Sequence, residues 1–366
     1  MKNINWSELG FGYFKTDYNV RCEYKDGKWG ELYATEDVNM NIHMASTCLH
    51  YGQEVFEGLK AFRGADGKVR LFRVEENAKR MINSGEYLKM AVPSVELFTK
   101  ACIEAVKLNA DYIPPYGSGA SLYLRPMLIG VGPQVGVKPS ADYLFAVFVT
   151  PVGPYYKDGF NCIKVIIDYD HDRAAPKGTG HVKVGGNYAA SLDSGEIAHQ
   201  KGFASVIFLD PATKQYIDEC SAANFFGIRD GKYITPDSHS VLPSITNKSL
   251  RQIAEDLGLK VEQRKVGVEE LPTFSEAGCC GTAAVISPIG SVYDPKTDKT
   301  IVYGDGKTAG PWSQKLYKTL QGIQYGEIED KHNWNTIVEQ PEIRASVKKG
   351  TRSSIKGPVK ASAITD

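Results

Sequence analysis

The stretch HVKVGGNY, residues 181–188, places Lys183 between two valines and follows it with two glycines and the start of a predicted helix. A lysine that attacks a carbonyl must first lose its proton, and apolar neighbours favour the neutral amine because they solvate an ammonium poorly. The two glycines let the backbone or a cofactor come close. An ordinary surface lysine ahead of a helix is the alternative interpretation. The stretch therefore marks Lys183 as a candidate Schiff-base lysine.

On both sides of this stretch the sequence alternates between strand and helix patterns. Short apolar runs predict strands over residues 121–129, 143–149, 163–168 and 204–209. Helical periodicity and end signals predict helices over residues 75–89, from Ser94 onward, over 188–200, and over 246–257 with Gly258 after the last turn. Because strands and helices are mixed in both halves, the sequence predicts an α/β or α+β fold.

The chain is long enough for two domains, since it has 366 residues and a domain typically has about 100–200. Residues 150–159, TPVGPYYKDG, contain two prolines and two glycines, a composition typical of a connector. We therefore expect a smaller N-terminal α/β domain over residues 1–150 and a connector over 151–160. A larger C-terminal domain over 161–340 and a C-terminal tail over 341–366 would follow.

Charge and composition exclude several classes of function. Lys+Arg and Asp+Glu both number 43, so the excess positive charge that drives nucleic-acid binding is absent. The sequence has no apolar run of the length that favours a transmembrane helix, and its first residues lack the features of a targeting segment, so we expect a cytoplasmic protein. The seven cysteines and seven histidines show no metal-ligand spacing, so we expect neither a metal site nor a disulfide framework.

Three further groups of residues are candidates for a site around Lys183. Residues 242–246, LPSIT, open a predicted helix whose free N–H groups can bind an anion, and Arg73 can add a guanidinium; a plain helix cap and a solvated arginine are the alternatives. Residues 218–226, DECSAANFF, place an acid where it can keep a pyridine nitrogen protonated, or simply lie at a turn. Residues 281–284, GTAA, form either a turn that binds a carboxylate or a tight buried loop.

The order of these pieces along the chain resembles the branched-chain-amino-acid aminotransferases, fold-type-IV enzymes that depend on pyridoxal 5'-phosphate (PLP). The resemblance runs from about Gly10 to Trp334. Its motifs are His50-Tyr51, Val55–Gly58, Leu71–Arg73, Ser121–Pro126, Lys183–Tyr188, Glu219–Phe226, Leu242–Thr246 and Gly281–Ala284. The resemblance implies a two-domain α/β enzyme with PLP between its smaller N-terminal and larger C-terminal domains.

The resemblance also implies a role for each site residue. Lys183 is expected to be the catalytic lysine that forms a Schiff base with PLP. The residues expected to bind the cofactor are Arg73, Lys183, Tyr188, Glu219, Ile245, Thr246 and Thr282. The residues expected to contact the substrate are Tyr51, Phe56, Tyr123, Arg125, Tyr155, Thr282 and Ala283. Within these sets, Glu219 is expected to face the pyridine nitrogen and Arg125 to pair with a glutamate γ-carboxylate.

The implied reaction is the reversible transfer of the amino group of L-leucine, L-isoleucine or L-valine to 2-oxoglutarate by a ping-pong mechanism. The implied partner is a second copy of the chain in a homodimer, with a loop around Val137 reaching the other copy's pocket. A D-amino acid aminotransferase or an aminodeoxychorismate lyase on the same fold is the nearest alternative. A catalytically silent PLP-binding protein is an alternative of another class, and the joint presence of Lys183, Glu219, Tyr188 and Arg73 disfavours it.

Overall fold

The structure, a computed structural model, describes residues 2, 4–153 and 160–339. Its strands are β1 (Asn19–Lys25), β2 (Lys28–Trp29), β3 (Tyr33–Thr35), β4 (Glu54–Phe56), β5 (Leu59–Arg63), β6 (Val69–Phe72), β7 (Ser121–Gly130), β8 (Tyr143–Val152), β9 (Ile163–Asp168), β10 (Ser205–Leu209), β11 (Ile217–Cys220), β12 (Ala223–Arg229), β13 (Lys232–Pro236), β14 (Lys260–Arg264), β15 (Glu276–Gly281), β16 (Val285–Asp294), β17 (Lys299–Val302) and β18 (Asn335–Val338). Its helices are α1 (Thr47–Tyr51), α2 (Val74–Tyr87), α3 (Val95–Leu108), α4 (Gly185–Ala190), α5 (Leu192–Gln200), α6 (Ile245–Asp256) and α7 (Pro311–Tyr325). This mixture of strands and helices confirms the predicted fold class.

The first sheet is antiparallel and has the strand order β18-β6-β5-β7-β8-β1-β2, with β3 beside β1 and β4 beside β7. Helix α3 packs on this sheet, and the ring of Phe98 stacks on that of Phe145 in β8, with centroids 5.8 Å apart. Strand β18 comes from the other end of the described chain and pairs with β6, where Asn335 lies opposite Phe72. The first sheet is therefore built from both ends of the described part of the chain.

The second sheet mixes parallel and antiparallel pairs in the order β11-β10-β9-β16-β15-β12-β13-β14, with β17 beside β16. Strand β9 lies parallel to β10 and β16, and β13 lies parallel to β14. Helices α6 and α7 bury Leu250 and Leu316 together with Phe226 of β12. Antiparallel pairing places Glu219 of β11 opposite Asn224 of β12, and Asn224 opposite Cys280 of β15. Polar residues from three strands thus meet at one place.

Most of the predicted strands and helices agree with the structure within a few residues. The strand predicted over 163–168 is β9, and the strand predicted over 204–209 is β10. Ser94 caps α3, since its Oγ accepts a hydrogen bond from the backbone N of Leu97 at 3.2 Å. Gly258 follows α6 with a φ of +91°, a left-handed conformation that favours glycine. Local capping and turn signals therefore predicted these boundaries correctly.

The continuous helix predicted over residues 188–200 is wrong. The structure has two helices there, α4 and α5, which meet at Ser191. The Ser191 Oγ donates to the carbonyl of Tyr188 at 2.9 Å, and such a bond lets the backbone leave the regular helix. Residues 154–159 of the predicted connector, and the predicted tail, lie outside the described residues. Among the residues that the structure describes, no helix has the length and apolar character needed to cross a membrane.

Candidate active site

A cavity of about 180 Å³ is lined by side chains from both sheets. Its lining comprises Phe11, Phe56, Gly58, Arg80, Tyr123, Arg125, Arg173, Lys183, Asn187, Tyr188, Glu219, Ser221, Ala222, Ala223, Asn224, Leu242, Ser244, Cys280, Gly281, Thr282 and Ala283. Cations, a carboxylate and aromatic rings are unusually concentrated in this set. The cavity is therefore the candidate active site.

Lys183 extends its amine into this cavity. Burial, together with the positive charge of Arg80, lowers the pKa of Lys183 to about 7. The Nζ donates to the Tyr188 hydroxyl at 2.5 Å and lies 4.4 Å from the centre of the Phe56 ring. The Lys183 backbone is held on both sides, because its N–H donates to Ser84 Oγ at 3.0 Å and its carbonyl accepts from Phe56 N at 3.2 Å. A fixed lysine with a large neutral fraction at neutral pH can act as a nucleophile or a base.

Tyr188 stands beside Lys183 on the first turns of α4. Its ring contacts that of Phe56, with centroids 5.0 Å apart. Burial raises the pKa of Tyr188 to about 12, so the phenol is protonated at neutral pH. The neighbouring Asn187 donates to the carbonyls of Thr179 and Val182, at 2.7 and 3.0 Å, and so fixes the loop that leads to the lysine. Tyr188 can therefore donate a hydrogen bond to an acceptor in the cavity.

Glu219 is buried in the wall of the cavity with its carboxylate fully engaged. Its Oε1 forms an ion pair with Arg173 Nε at 2.6 Å, and its Oε2 accepts from Asn224 Nδ2 at 2.7 Å. Burial raises the pKa of Glu219, and the positive charge of Arg173 acts in the opposite direction. Arg173 also donates to the carbonyls of Gly180 and Ser240. These contacts hold a carboxylate where it can meet a cationic ring nitrogen.

Another part of the cavity lining is suited to an anion. Arg80 lines it and forms a two-pronged ion pair with Glu57, with Nε–Oε1 and Nη2–Oε2 distances of 2.8 Å. Its Nη1 donates to the carbonyl of Pro243 at 3.1 Å, directly before Ser244, the N-cap of α6. A helix N-terminus beside an arginine favours negative charge. Ile245 and Thr246 do not line the main cavity; they line a small adjoining one together with Thr282.

Arg73, which the sequence analysis assigned to the anion, is not at the cavity. Its guanidinium lies 4.8 Å from the ring centre of Trp334, and its Nη1 donates to Ser249 Oγ at 2.9 Å. Arg73 is the residue before α2 and contacts Trp334 and the second turn of α6, whereas Arg80, two turns later, contacts Pro243 just before the N-terminus of α6. The structure therefore places Arg80, rather than Arg73, at the part of the cavity that is suited to an anion.

Aromatic and small residues form the remaining wall. The Tyr123 hydroxyl accepts a hydrogen bond from Arg125 Nη2 at 3.2 Å, and the Arg125 guanidinium lies 4.8 Å from the Phe56 ring centre. A Cβ at Gly58 would clash with the Tyr123 hydroxyl, so a larger residue there would displace the Tyr123 side chain. Lys60, which the sequence analysis did not single out, donates to the carbonyl of Ala283 at 2.7 Å and so holds the Thr282-Ala283 turn.

Two predicted substrate contacts are not seen in this cavity. Tyr51 is 41% exposed, lies outside the cavity of its own chain and donates its hydroxyl to the carbonyl of Val135. Tyr155 lies outside the described residues. The other predicted substrate contacts, Phe56, Tyr123, Arg125, Thr282 and Ala283, all line the cavity.

Sequence reasoning also missed residues that the structure brings to the site. Arg80 carried a usable signal, because it lies within the buried stripe of α2 beside Asn77 and Met81, and a cation on a buried helix face requires a partner. No sequence signal pointed to Phe11 or Arg173, because each of them reaches the cavity from a segment without a recognisable pattern. Their positions depend on contacts that are distant in sequence.

Comparison with known proteins places this site in a class. The family model described as Amino-transferase class IV matches residues 54–292. That range covers more than half of the chain and includes Lys183, Tyr188, Glu219 and Thr282. The chain is thus an aminotransferase of class IV, a PLP-dependent transaminase.

Similar proteins define the family within this class. The branched-chain-amino-acid aminotransferase of Haemophilus influenzae is 50% identical over 346 residues, covering 93% of this chain and 100% of that protein. That of Helicobacter pylori is 49% identical over 91% of this chain and 98% of its own length. The solved branched-chain amino acid aminotransferase from Escherichia coli is 29% identical, covers 89% of this chain and 100% of its own, and superposes with a TM-score of 0.71. The chain belongs to the branched-chain-amino-acid aminotransferases.

Proposed function

We propose that the protein transfers the amino group of L-leucine, L-isoleucine or L-valine to 2-oxoglutarate reversibly, giving branched 2-oxo acids and L-glutamate. The observation that carries this proposal is the cavity itself. It unites a lysine of lowered pKa, an apolar aromatic wall and Arg125, which can pair with a second carboxylate. A pocket of this kind can accept both an aliphatic and an anionic side chain in turn.

The described residues fit PLP as the cofactor. Arg80, the N-terminus of α6 with Ile245 and Thr246, and Thr282 would hold its phosphate, which a helix N-terminus and an arginine favour. Tyr188 would donate to its phenolic oxygen, and Glu219 would face its pyridine nitrogen. The cofactor supplies an electron sink for the negative charge that develops at the substrate carbon. Another solved branched-chain amino acid aminotransferase, 27% identical with a TM-score of 0.72, is complexed with N-(5'-phosphopyridoxyl)-L-glutamate.

The chain's own residues would then carry out binding and proton transfer. The Lys183 Nζ, neutral in a large fraction at neutral pH, would take the proton from the substrate Cα and return it on the other half of the cycle. Glu219, fixed by Arg173 and Asn224, would hold a proton on the ring nitrogen. The backbone N–H groups of the Thr282-Ala283 turn would bind the α-carboxylate. Phe56 and Tyr123 would exclude water around an aliphatic side chain.

We also propose that the protein functions as a homodimer, with the site between a smaller domain over residues 1–150 and a larger one over 161–340, whose last strand, β18, joins the sheet of the smaller domain. An apolar patch of exposed side chains supports the dimer; it consists of Met44, Leu49, Tyr51, Val135 and Val137. Val135 and Val137 are 84% and 85% exposed, and such clusters mark interaction surfaces. In the dimer, Tyr51 and the Val137 loop would reach the partner's cavity.

Sedimentation of the purified protein is expected to give the mass of two copies, or a multiple of two, of the 40.2 kDa chain. Val137→Glu places a charge in the patch and should shift the population toward single chains. The matched substitution Val302→Glu, at another exposed valine, should not. A wild-type protein that sediments as a single chain at every concentration would contradict the dimer.

The test of the proposed function is a half-reaction. Excess L-leucine added to the protein loaded with PLP is expected to remove the absorbance of the lysine-bound cofactor and to produce 4-methyl-2-oxopentanoate, and 2-oxoglutarate should restore the absorbance. This follows because a ping-pong enzyme completes each half without the other substrate. Conversion of D-alanine but not L-leucine would instead favour a D-amino acid aminotransferase. A bound cofactor that no amino acid converts would favour the silent PLP-binding protein.

A further inference from the structure

Glu54 is a carboxylate beside the catalytic lysine that the proposed mechanism does not use. It begins β4, is half-buried, and its Oε1 accepts a hydrogen bond from the backbone N of Gly185, the first residue of α4. A Cβ at residue 185 would clash with Glu54 Oε1, so the close approach requires glycine at that position. The close contact with the Glu54 carboxylate thereby explains why Gly185, one of the two glycines after Lys183, is a glycine.

The contact completes the clamp on the lysine backbone. Ser84 accepts the Lys183 N–H, Phe56 donates to the Lys183 carbonyl, and Glu54 binds the N–H two residues later. Glu54 and Phe56 are the first and last residues of β4, so this short strand forms hydrogen bonds to the backbone around Lys183 at two points. A shift of this strand would move the Lys183 amine.

The charge of Glu54 also acts on the site. The titratable and charged groups facing it are Cys48 of α1, Arg125 of β7 and Lys183. Burial raises the pKa of Glu54, and the hydrogen bond from Gly185 N and the charges of Arg125 and Lys183 act in the opposite direction. Lys183 is in turn surrounded by the charges of Arg80, Glu57, Arg125 and Glu219.

We infer that Glu54 is a positioning and specificity-determining residue: its carboxylate fixes the peptide after Lys183, and its negative charge partly offsets that of Arg125. The offset weakens the attraction of Arg125 for an anionic substrate side chain, and so brings the affinities for the aliphatic and the acidic substrate closer together. Because Glu54 and Lys183 interact electrostatically, the same charge also stabilises the protonated form of the nitrogen at Lys183. The inference rests on the proposed function of the cavity.

Two substitutions separate the two roles. Glu54→Gln keeps an oxygen that can accept from Gly185 N and removes the charge, whereas Glu54→Ala removes both. For Glu54→Gln we expect the pH midpoint of the absorbance of the loaded protein to fall by about 0.5 unit or more, since a nearby anion favours a cation. We also expect the KM for L-glutamate to fall about three-fold relative to that for L-leucine. Glu54→Ala should in addition lower kcat about ten-fold for both substrates, because the lysine is less well placed.

Glu86→Gln, the same substitution at an exposed position of α2, controls for the change in net charge and should alter neither quantity. A Glu54→Gln protein with the wild-type pH midpoint and the wild-type ratio of KM values would overturn the inference. It would also be overturned if kcat fell equally in both Glu54 variants and a lower thermal stability of both proteins accounted for the fall. Wild-type protein that fails to convert L-leucine would contradict the proposed function instead. The two failures are therefore distinguishable.

Discussion

Lys183→Ala is expected to reduce the rate of the leucine half-reaction by about 10⁴-fold or more, because it would remove both the amine proposed to carry the cofactor and the base proposed to act at the substrate carbon. The structure gives this lysine a distinctive setting in the cavity: a pKa lowered to about 7 and a 2.5 Å hydrogen bond to Tyr188. Single-turnover formation of the 2-oxo acid, measured in wild type and variant at saturating L-leucine, checks the prediction.

Folding is not expected to account for this loss. Among the described residues, the Lys183 amine donates to the Tyr188 hydroxyl and forms no ion pair, so its replacement leaves no unpaired buried charge. The thermal midpoint of Lys183→Ala should therefore lie close to that of the wild type. Lys201→Ala, at an exposed position after α5, is the control and should react normally. A Lys183→Ala protein that retains more than a few per cent of the wild-type rate would rule out Lys183 as the catalytic lysine.

Removing the Arg80 guanidinium is expected to weaken the binding of PLP by about 30-fold, because a charge-assisted hydrogen bond to an anion contributes about 1.5–3 kcal/mol. Arg80 must be changed together with Glu57, since either charge left alone in this buried pair would be strongly destabilising. The double variant Arg80→Gln, Glu57→Gln replaces both charges by amides. Titration of the cofactor-free protein with PLP, followed by absorbance, measures the change in affinity.

Arg73 provides the contrasting case for the same measurement. Arg73→Gln removes the contact with Trp334 and the hydrogen bond to Ser249, so we expect the free energy of unfolding to fall by about 1–2 kcal/mol. The affinity for PLP should change less than two-fold because Arg73 is not at the cavity. If Arg73→Gln bound PLP more weakly than the Arg80 double variant does, Arg73 rather than Arg80 would be the arginine that binds the phosphate.

The sequence predicted the parts of the site that are local. Lys183, the residues around it and the N-cap of α6 lie in short segments whose chemistry and turn signals can be read without a fold. Arg73 shows where this reasoning failed. A motif places an arginine near the start of a helix, but only the packing of α2 decides which of two arginines, seven residues apart, faces the cavity.

Contacts between segments that are far apart in the chain could not be predicted from the sequence. The Arg173–Glu219 ion pair joins residues 46 positions apart, and Glu54 reaches Gly185 across 131 positions. Strand β18 returns to β6 from the other end of the described chain. Such pairs are stabilised by burial and by the need to satisfy buried polar groups, which depend on the complete arrangement of the chain.

The sequence by itself determined the alternation of strands and helices, the candidate lysine and the resemblance to a family, because these depend on local conformational preferences and on residue order. Only the tertiary structure decided which cations face the cavity, that Glu219 is held by Arg173, and that a second carboxylate, Glu54, lies beside the lysine. The physical reason is that charge and burial act through space, so the pKa of Lys183 is set by groups that are far from it along the chain.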